Sequence, residues 1–187
     1  NAGILITEKA GNIRLYRDGL QPKSISGGPN VTEFGQGGLL DIAVHPDFNK
    51  NRYVYFSFVG RNRLGLGTEL ARGTFVNGEF TNLKVLFKAK PKTLRGQHFG
   101  SRLVFDGSQN LFMTHGDRGN RNDAQNFSTH AGTILRFTAD GTTHPDNPFL
   151  GRPGALPEIY SYGHRNPQGA VLHPKTRVLW THEHGPQ

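Results

Sequence analysis

Cysteine is absent from this chain of 187 residues, and tryptophan and methionine each occur only once. The absence of cysteine excludes a disulfide framework and thiol chemistry, although it excludes no cellular compartment. Long apolar runs are also missing, because no stretch approaches the roughly 20 residues that a membrane-spanning helix needs. The sequence therefore predicts no membrane span.

Hydrophobic residues make up only 34% of the chain, whereas glycine numbers 25 and proline 11. This composition favours many short strands joined by turns over long helices. The net charge is +8, but the basic residues are scattered and form no aromatic-basic motif. We therefore expect no nucleic-acid partner, and a small anionic ligand suits the basic balance equally well.

A pattern of an apolar strand, a His-Pro or Asp-Gly turn and a second apolar strand occurs three times. Such pairs predict β-hairpins. A second hairpin type with an Asn-Gly or Asp-Gly turn lies between them, and an N-terminal hairpin turns at Gly11-Asn12. The first type covers 39–56, 101–113 and 169–181, the second covers 70–78 and 134–141, and the N-terminal hairpin covers 4–16.

The spacing of these hairpins predicts a β-propeller. Their turns begin at His45, Asp106 and His173, so one repeat of roughly 60 to 70 residues holds two hairpins, the content of one blade. A β-sandwich with chance similarity between hairpins is the alternative. Because a propeller needs about four to eight blades to close, we expect 1–187 to be the N-terminal part of a single propeller domain that continues beyond Gln187.

The segment 163–169, Gly-His-Arg-Asn-Pro-Gln-Gly, is the first candidate for a binding loop. Arg165 offers a planar fork of donors with a permanent charge, and Asn166 adds an amide beside it. Pro167 stiffens the chain directly after them. This arrangement suits a flat, anionic, oxygen-rich ligand, and a simple turn rich in Gly and Pro is the alternative.

Gln36, His98 and Arg165 occupy similar places, in Gly-rich loops near the first strand of each repeated hairpin. Equivalent loops of a radial fold converge near its axis, which predicts that these three residues come together. His98 is the best candidate for a general base, because imidazole titrates near neutral pH. A histidine that only caps its loop is the alternative.

Metal-binding motifs are weak. His182 and His184 have the spacing that places two imidazoles on one strand face, but no third ligand is evident, so a structural role is favoured. The sequence contains no EF-hand loop, Walker A motif, G-x-S-x-G or H-E-x-x-H. Backbone carbonyls can still bind calcium without leaving a sequence pattern.

Several motifs, in order along nearly the whole chain, resemble those of the soluble sugar dehydrogenases that depend on pyrroloquinoline quinone (PQQ). The resemblance is strongest to the bacterial aldose sugar dehydrogenases. It implies a six-bladed β-propeller, of which this chain would cover roughly the first three blades. The motifs that carry it are 35–48, 97–105, 116–119, 157–169 and 183–186.

The resemblance implies oxidation of the anomeric hydroxyl of an aldose to a lactone, with PQQ and calcium as cofactors. It also implies an external electron acceptor and a periplasmic or secreted bacterial location. His98 resembles the general base that takes the hydroxyl proton while hydride passes to the quinone. Arg165 and Asn166 resemble residues that hold and polarise the quinone oxygens. Gln36 resembles a residue that touches both cofactor and sugar.

Gly185 and Pro186 resemble positions whose backbone carbonyls bind the calcium ion. Gln97 lies where a sugar-contacting neighbour of the base is expected, although some relatives carry Asp there. The basic and aromatic residues of the family's later blades lie outside this chain. Some propellers related to this family bind other proteins, so a non-catalytic binding propeller is an alternative function, and a calcium-dependent lactonase is a weaker one because axial carboxylate ligands are not evident.

Overall fold

The computed structural model describes residues 3–17 and 21–185. In these ranges the regular secondary structure is almost entirely β-strand. It forms thirteen strands, one α-helical turn and one 3-10 helix. The elements are β1 (Ile4–Thr7), β2 (Ile13–Tyr16), β3 (Lys23–Ile25), β4 (Leu39–Val44), α1 (Phe48–Asn51), β5 (Tyr53–Asn62), β6 (Gly65–Val76), β7 (Glu79–Lys88), β8 (Leu103–Phe105), β9 (Leu111–His115), the 3-10 helix (Arg121–Gln125), β10 (Thr133–Phe137), β11 (Ile159–Tyr162), β12 (Pro167–Leu172) and β13 (Leu179–Glu183).

The strands form four antiparallel sheets. Strands β1 to β3 make a three-stranded sheet, and β12 pairs with β13. Between them along the chain lie two four-stranded sheets, β4 to β7 and β8 to β11, each with its strands in sequential order. Two successive four-stranded sheets are what the predicted repeat of two hairpins requires.

Five of the six predicted hairpins are confirmed by the strand pairing, and the one at 134–141 is wrong in part. The chain turns at Gly141, but Phe137 then forms only an isolated bridge with Thr143. The partner of β10 is instead β11. The reason is that 142–158 contains four prolines, which lack the N–H that a ladder needs.

Strand β5 is buried on both faces, which explains its nearly continuous apolar sequence. Phe56 packs towards β2, in a cluster that includes Ile13. Tyr55 points the other way and packs with Leu135 of the following sheet. The hydrophobic cores therefore lie between sheets, and each fully buried large side chain contributes about 1.5–3 kcal/mol.

The first strands of three sheets lie side by side. The Leu103 N–H donates to Asp41 Oδ2 at 2.8 Å, and Thr114 Oγ1 donates to the Pro167 carbonyl at 2.7 Å. These bonds tie β4 to β8, and β9 to β12, and so fix the loops that precede these strands. The fold is all-β with neighbouring sheets packed face to face, as in adjacent propeller blades. The six-blade count stays a prediction.

Neither of the two short helices in the described ranges has the length and apolar character to cross a membrane.

Candidate active site

His98 and Asp117 form the centre of the candidate site. His98 Nδ1 lies 2.7 Å from Asp117 Oδ1, and their side chains are only 12% and 4% exposed. A carboxylate accepts hydrogen bonds, so this contact places the imidazole proton on Nδ1 and leaves Nε2 as the acceptor. The Gly119 N–H also donates to Asp117 Oδ1, at 2.7 Å, and fixes the carboxylate. The pair therefore has the geometry of an oriented general base.

Gln36 joins this centre from the loop before β4. Its Oε1 accepts a hydrogen bond of 2.8 Å from the His98 N–H. The backbone of Gln36 is held in turn, because its N–H donates to the Gly96 carbonyl at 2.7 Å. Gln36 thus supports the left-handed backbone of His98, whose φ is +53°, and its amide nitrogen points away from that bond. The predicted convergence of Gln36 and His98 is confirmed.

Arg165 lies beside the same centre, because its carbonyl accepts a 2.8 Å hydrogen bond from the Asp117 N–H. Glu183 shapes this loop, since its Oε2 accepts from the backbone N–H groups of both Arg165 and Asn166. The Arg165 guanidinium is half-buried and donates to the His184 carbonyl at 3.2 Å. The backbone of Arg165 thus lies beside Asp117, and an approach of its guanidinium to His98 stays a prediction.

Asn166 is more deeply buried than Arg165. Only 2% of its surface is exposed, and its Oδ1 accepts a 3.2 Å hydrogen bond from the Gly100 N–H. The amide oxygen thus ties the loop before β12 to the loop that carries His98. This bond gives Asn166 a role in positioning the site, and its contact with a cofactor stays a prediction.

Arg118 is the largest fully buried side chain, with 1% of its surface exposed. Its guanidinium donates to the carbonyls of Arg95 and Gln97 and lies 3.3 Å from the centre of the Phe99 ring. Burial lowers the pKa of Arg118 to about 10, so the side chain stays charged at neutral pH. Arg118 therefore clamps the residues on both sides of His98 while its neighbour Asp117 holds the imidazole.

Gly116 sits where these loops cross, and a side chain there has no room. A Cβ atom would lie 2.2 Å from the His98 carbonyl oxygen and 3.1 Å from Asn166 Oδ1. Gly116→Ala is expected to cost about 1–3 kcal/mol of unfolding free energy, because a packed backbone must move. Displacing the base by about 1 Å should also lower kcat as much as 100-fold. Urea unfolding and initial rates measure the two effects.

Gly73→Ala is the matched control for that substitution, because its Cβ would meet its nearest atom at an ordinary 3.4 Å. It should change neither the unfolding free energy nor kcat by a comparable amount. An equal response of the two variants would contradict the crowding at Gly116.

His115 lies under the site and is fully buried, and neither ring nitrogen has a hydrogen-bond partner in the described chain. Burial, together with the smaller effect of the charges of Arg118 and His130, lowers the pKa of His115 to about 3. The imidazole is therefore neutral in the folded protein. In the unfolded chain the same imidazole has a pKa near 6.5.

The unfolded chain therefore binds a proton at His115 between pH 6.5 and 3 that the folded protein does not. Acidification from pH 7 to pH 5 should lower the unfolding free energy by about 2 kcal/mol through this residue. The His115→Phe variant is expected to lose that part of the pH dependence in urea unfolding. His173→Phe, at an exposed turn, is the control. A parent and a His115→Phe variant with the same pH dependence would rule this account out.

A cleft of about 410 Å³ adjoins the base, with Asp117, Gln125, His164 and Arg165 among its lining residues. Its polar groups are donors and amides, with a single buried carboxylate already bonded to His98. A larger cavity of about 710 Å³ lies at the opposite end of the sheets and touches no predicted site residue. We therefore place the chemistry beside the smaller cleft, because its lining includes Arg165 and Asp117, the partner of His98.

The donor set suits an anionic quinone. The guanidinium of Arg165 and the amide of Gln36 match carboxylate and quinone oxygens, and the His98 imidazole can accept a hydroxyl proton. These groups therefore fit part of a PQQ site.

The predicted calcium site rests on Gly185 and Pro186. Gly185 is exposed at the end of the described chain, and Pro186 lies outside the described residues. Within residues 3–17 and 21–185, no cluster of three or more His, Asp or Glu side chains is placed to hold a metal. Strand β13 ends at Glu183, so His184 does not share a strand face with His182. The role of backbone carbonyls in calcium binding stays a prediction.

Comparison with known proteins gives a consistent result. A family model described as Glucose / Sorbosone dehydrogenase matches residues 1–187. The aldose sugar dehydrogenase YliI of Escherichia coli (strain K12) is 40% identical over 192 residues, covering 100% of this chain and 52% of that protein. The chain thus spans about half the length of the curated relatives it matches.

Solved structures agree with the family match. The soluble aldose sugar dehydrogenase from Escherichia coli in its apo-form has a TM-score of 0.96 and 38% identity, covering 98% of this chain and 54% of that one. The PQQ-bound form of the aldose sugar dehydrogenase from Streptomyces coelicolor has a TM-score of 0.85 and 29% identity, with the same coverage of 98% and 54%.

Proposed function

Because this chain belongs to the glucose / sorbosone dehydrogenase family, we propose that the full-length protein oxidises the anomeric hydroxyl of an aldose to the lactone. When bound, PQQ supplies the acceptor for the two electrons. The observation that carries the proposal is the contact of 2.7 Å between His98 Nδ1 and Asp117 Oδ1, with the Asp117 N–H bonded to the Arg165 carbonyl. A binding module has no need for an imidazole held in this way.

The residues of this chain have distinct roles in the proposed reaction. His98 Nε2 takes the proton from the anomeric hydroxyl, and Asp117 stabilises the imidazolium that results. Arg165 supplies positive charge where negative charge develops on the electron acceptor. Gln36 holds the His98 backbone through Oε1 and offers its amide nitrogen to the sugar or the cofactor.

The proposal includes a calcium ion, an external electron acceptor and a periplasmic or secreted location, as in the family that the sequence resembles. Calcium would be bound by backbone carbonyls, which is a ligand type that this ion accepts readily. Removal of calcium with a chelator and its replacement provide a direct test of this part.

The decisive experiment reconstitutes the full-length protein with PQQ and calcium and follows the reduction of a small dye with a panel of aldoses. Turnover that requires PQQ, and the formation of one lactone for each two electrons delivered, are expected. A titration with PQQ that leaves its absorbance unchanged, together with no turnover on any aldose, would favour the non-catalytic binding propeller.

A further inference from the structure

Two leucines lie exposed side by side at the same end of the sheets as His98. Leu94 is 79% exposed and Leu64 is 66% exposed, the largest values for large hydrophobic side chains in the described chain. Leu64 lies at the tip of the hairpin between β5 and β6. Thr93 pairs with Leu66 through backbone hydrogen bonds of 2.8 and 2.9 Å, so Leu94 lies directly beside that tip.

Arginines surround the two leucines. Arg61, Arg63 and Arg95 are exposed, and none of them forms an ion pair with the described part of the chain. The segments 60–67 and 92–100 contain no Asp or Glu. The result is an apolar centre with a positive border. We call it the rim patch, which consists of Arg61, Arg63, Leu64, Leu94 and Arg95.

The exposure of the rim patch does not come from an uncovered sheet face. Strands β5 and β6 are the two inner strands of their sheet. Clusters of buried side chains cover that sheet on both faces, through Ile13 on one side and Leu135 on the other. Only the hairpin tip projects from this packing. Exposed apolar side chains bordered by charge are typical of sites that contact another macromolecule.

The rim patch is connected directly to the candidate site. Leu94 precedes His98 by four residues, so the backbone between them spans at most about 14 Å. The Arg95 guanidinium donates to the Gly119 carbonyl, and the Gly119 N–H donates to Asp117. A protein that covers the rim patch would therefore stand beside the loops that hold His98 and Asp117.

We propose that the rim patch docks a small acidic redox protein that receives the electrons of the reaction, an inference that rests on the proposed function. Oxidation of one aldose to its lactone releases two electrons and two protons. Two molecules of a one-electron acceptor are therefore each reduced once, and both protons pass to solvent. The arginines steer an acidic partner, and the leucines supply the dry centre of a small interface.

Azurin, a small blue-copper protein that is acidic at pH 7, is the probe. Two double variants of the full-length protein, L64S/L94S and R61E/R63E, are compared with the parent. We expect the second-order rate of azurin reduction to fall at least tenfold in R61E/R63E, because steering contributes factors of 10 to 1,000. The rate for the parent should also fall with increasing ionic strength. Reduction of a small neutral dye should be unchanged.

Leu150→Ser and Arg177→Glu are the matched controls, because both residues are exposed and lie outside the rim patch. Both should behave as the parent does. Unchanged azurin reduction in both double variants would overturn the proposal, and so would equal losses with azurin and dye. Binding of the parent to anionic phospholipid vesicles, lost in the variants while azurin reduction is retained, would assign the patch to a membrane instead.

The docking proposal and the proposed function can be refuted independently of each other. A parent that reduces neither dye nor azurin refutes the proposed function. Isothermal titration of oxidised azurin needs no turnover, and weaker binding by the two double variants than by the parent and controls would still support docking. Absence of binding to the parent would refute docking alone.

Discussion

The His98→Ala variant is expected to lose about 10²- to 10⁴-fold in kcat, the contribution typical of a positioned general base. In the proposed reaction the imidazole is the acceptor for the hydroxyl proton, so its removal leaves the anomeric hydroxyl without the oriented base. Binding of PQQ should change little, because the loop is held by Arg118 and Gln36 rather than by the imidazole. Steady-state rates at saturating aldose and a PQQ titration measure the two quantities.

His144→Ala is the control for the loss of a histidine, since this residue lies in the turns after β10 and only accepts a hydrogen bond from the Asp146 N–H. Its kcat should equal that of the parent. If His98→Ala retained most of the parental kcat with PQQ bound, the assignment of the base would be refuted while the family membership would stand.

The Asp117→Asn variant is expected to have the second largest effect, with kcat about 10²- to 10³-fold lower and KM nearly unchanged. Oδ1 accepts from the Gly119 N–H as well as from His98, so the amide would keep its oxygen there, and the variant loses the negative charge that stabilises the imidazolium. Loss of one group that stabilises charge in the transition state typically costs about 10²- to 10³-fold. A change in kcat without a change in KM separates this positioning role from loss of substrate binding.

Asp117→Glu keeps a carboxylate and should recover part of the lost rate. Asp140→Asn is the matched control, because Asp140 is 79% exposed and pairs with Arg72 at the far end of the sheets. A uniform loss of folded protein in Asp117→Asn, with normal turnover by the folded fraction, would contradict the proposed role.

Much of the fold could be predicted from the sequence because the hairpin signals are local. Alternating apolar residues and Asn-Gly or Asp-Gly turns fix a hairpin within about ten residues. The segment 134–141 shows the limit, since its turn is present but the proline-rich stretch that follows delays the partner strand. That outcome depends on residues outside the hairpin itself.

The site could be predicted in outline because the repeat places Gln36, His98 and Arg165 at equivalent positions. Asp117 was missed as a partner of His98, because 19 residues separate them and the segment 116–119 was used only as one of the motifs of the family resemblance. Arg118 was missed because a charged residue between glycines looks exposed in a sequence. Its burial depends on two carbonyls and a ring supplied by another loop, which only the tertiary structure brings together.

The burial of β5 on both faces implies that the base is among the last parts of the domain to open. Val59 of this strand packs with Phe99, the residue after His98. Amide hydrogens of β5 should therefore exchange with solvent only when the whole domain opens, and the base should share that protection. Hydrogen exchange should find the loop of His98 as slow to open as the inner strand against which it packs.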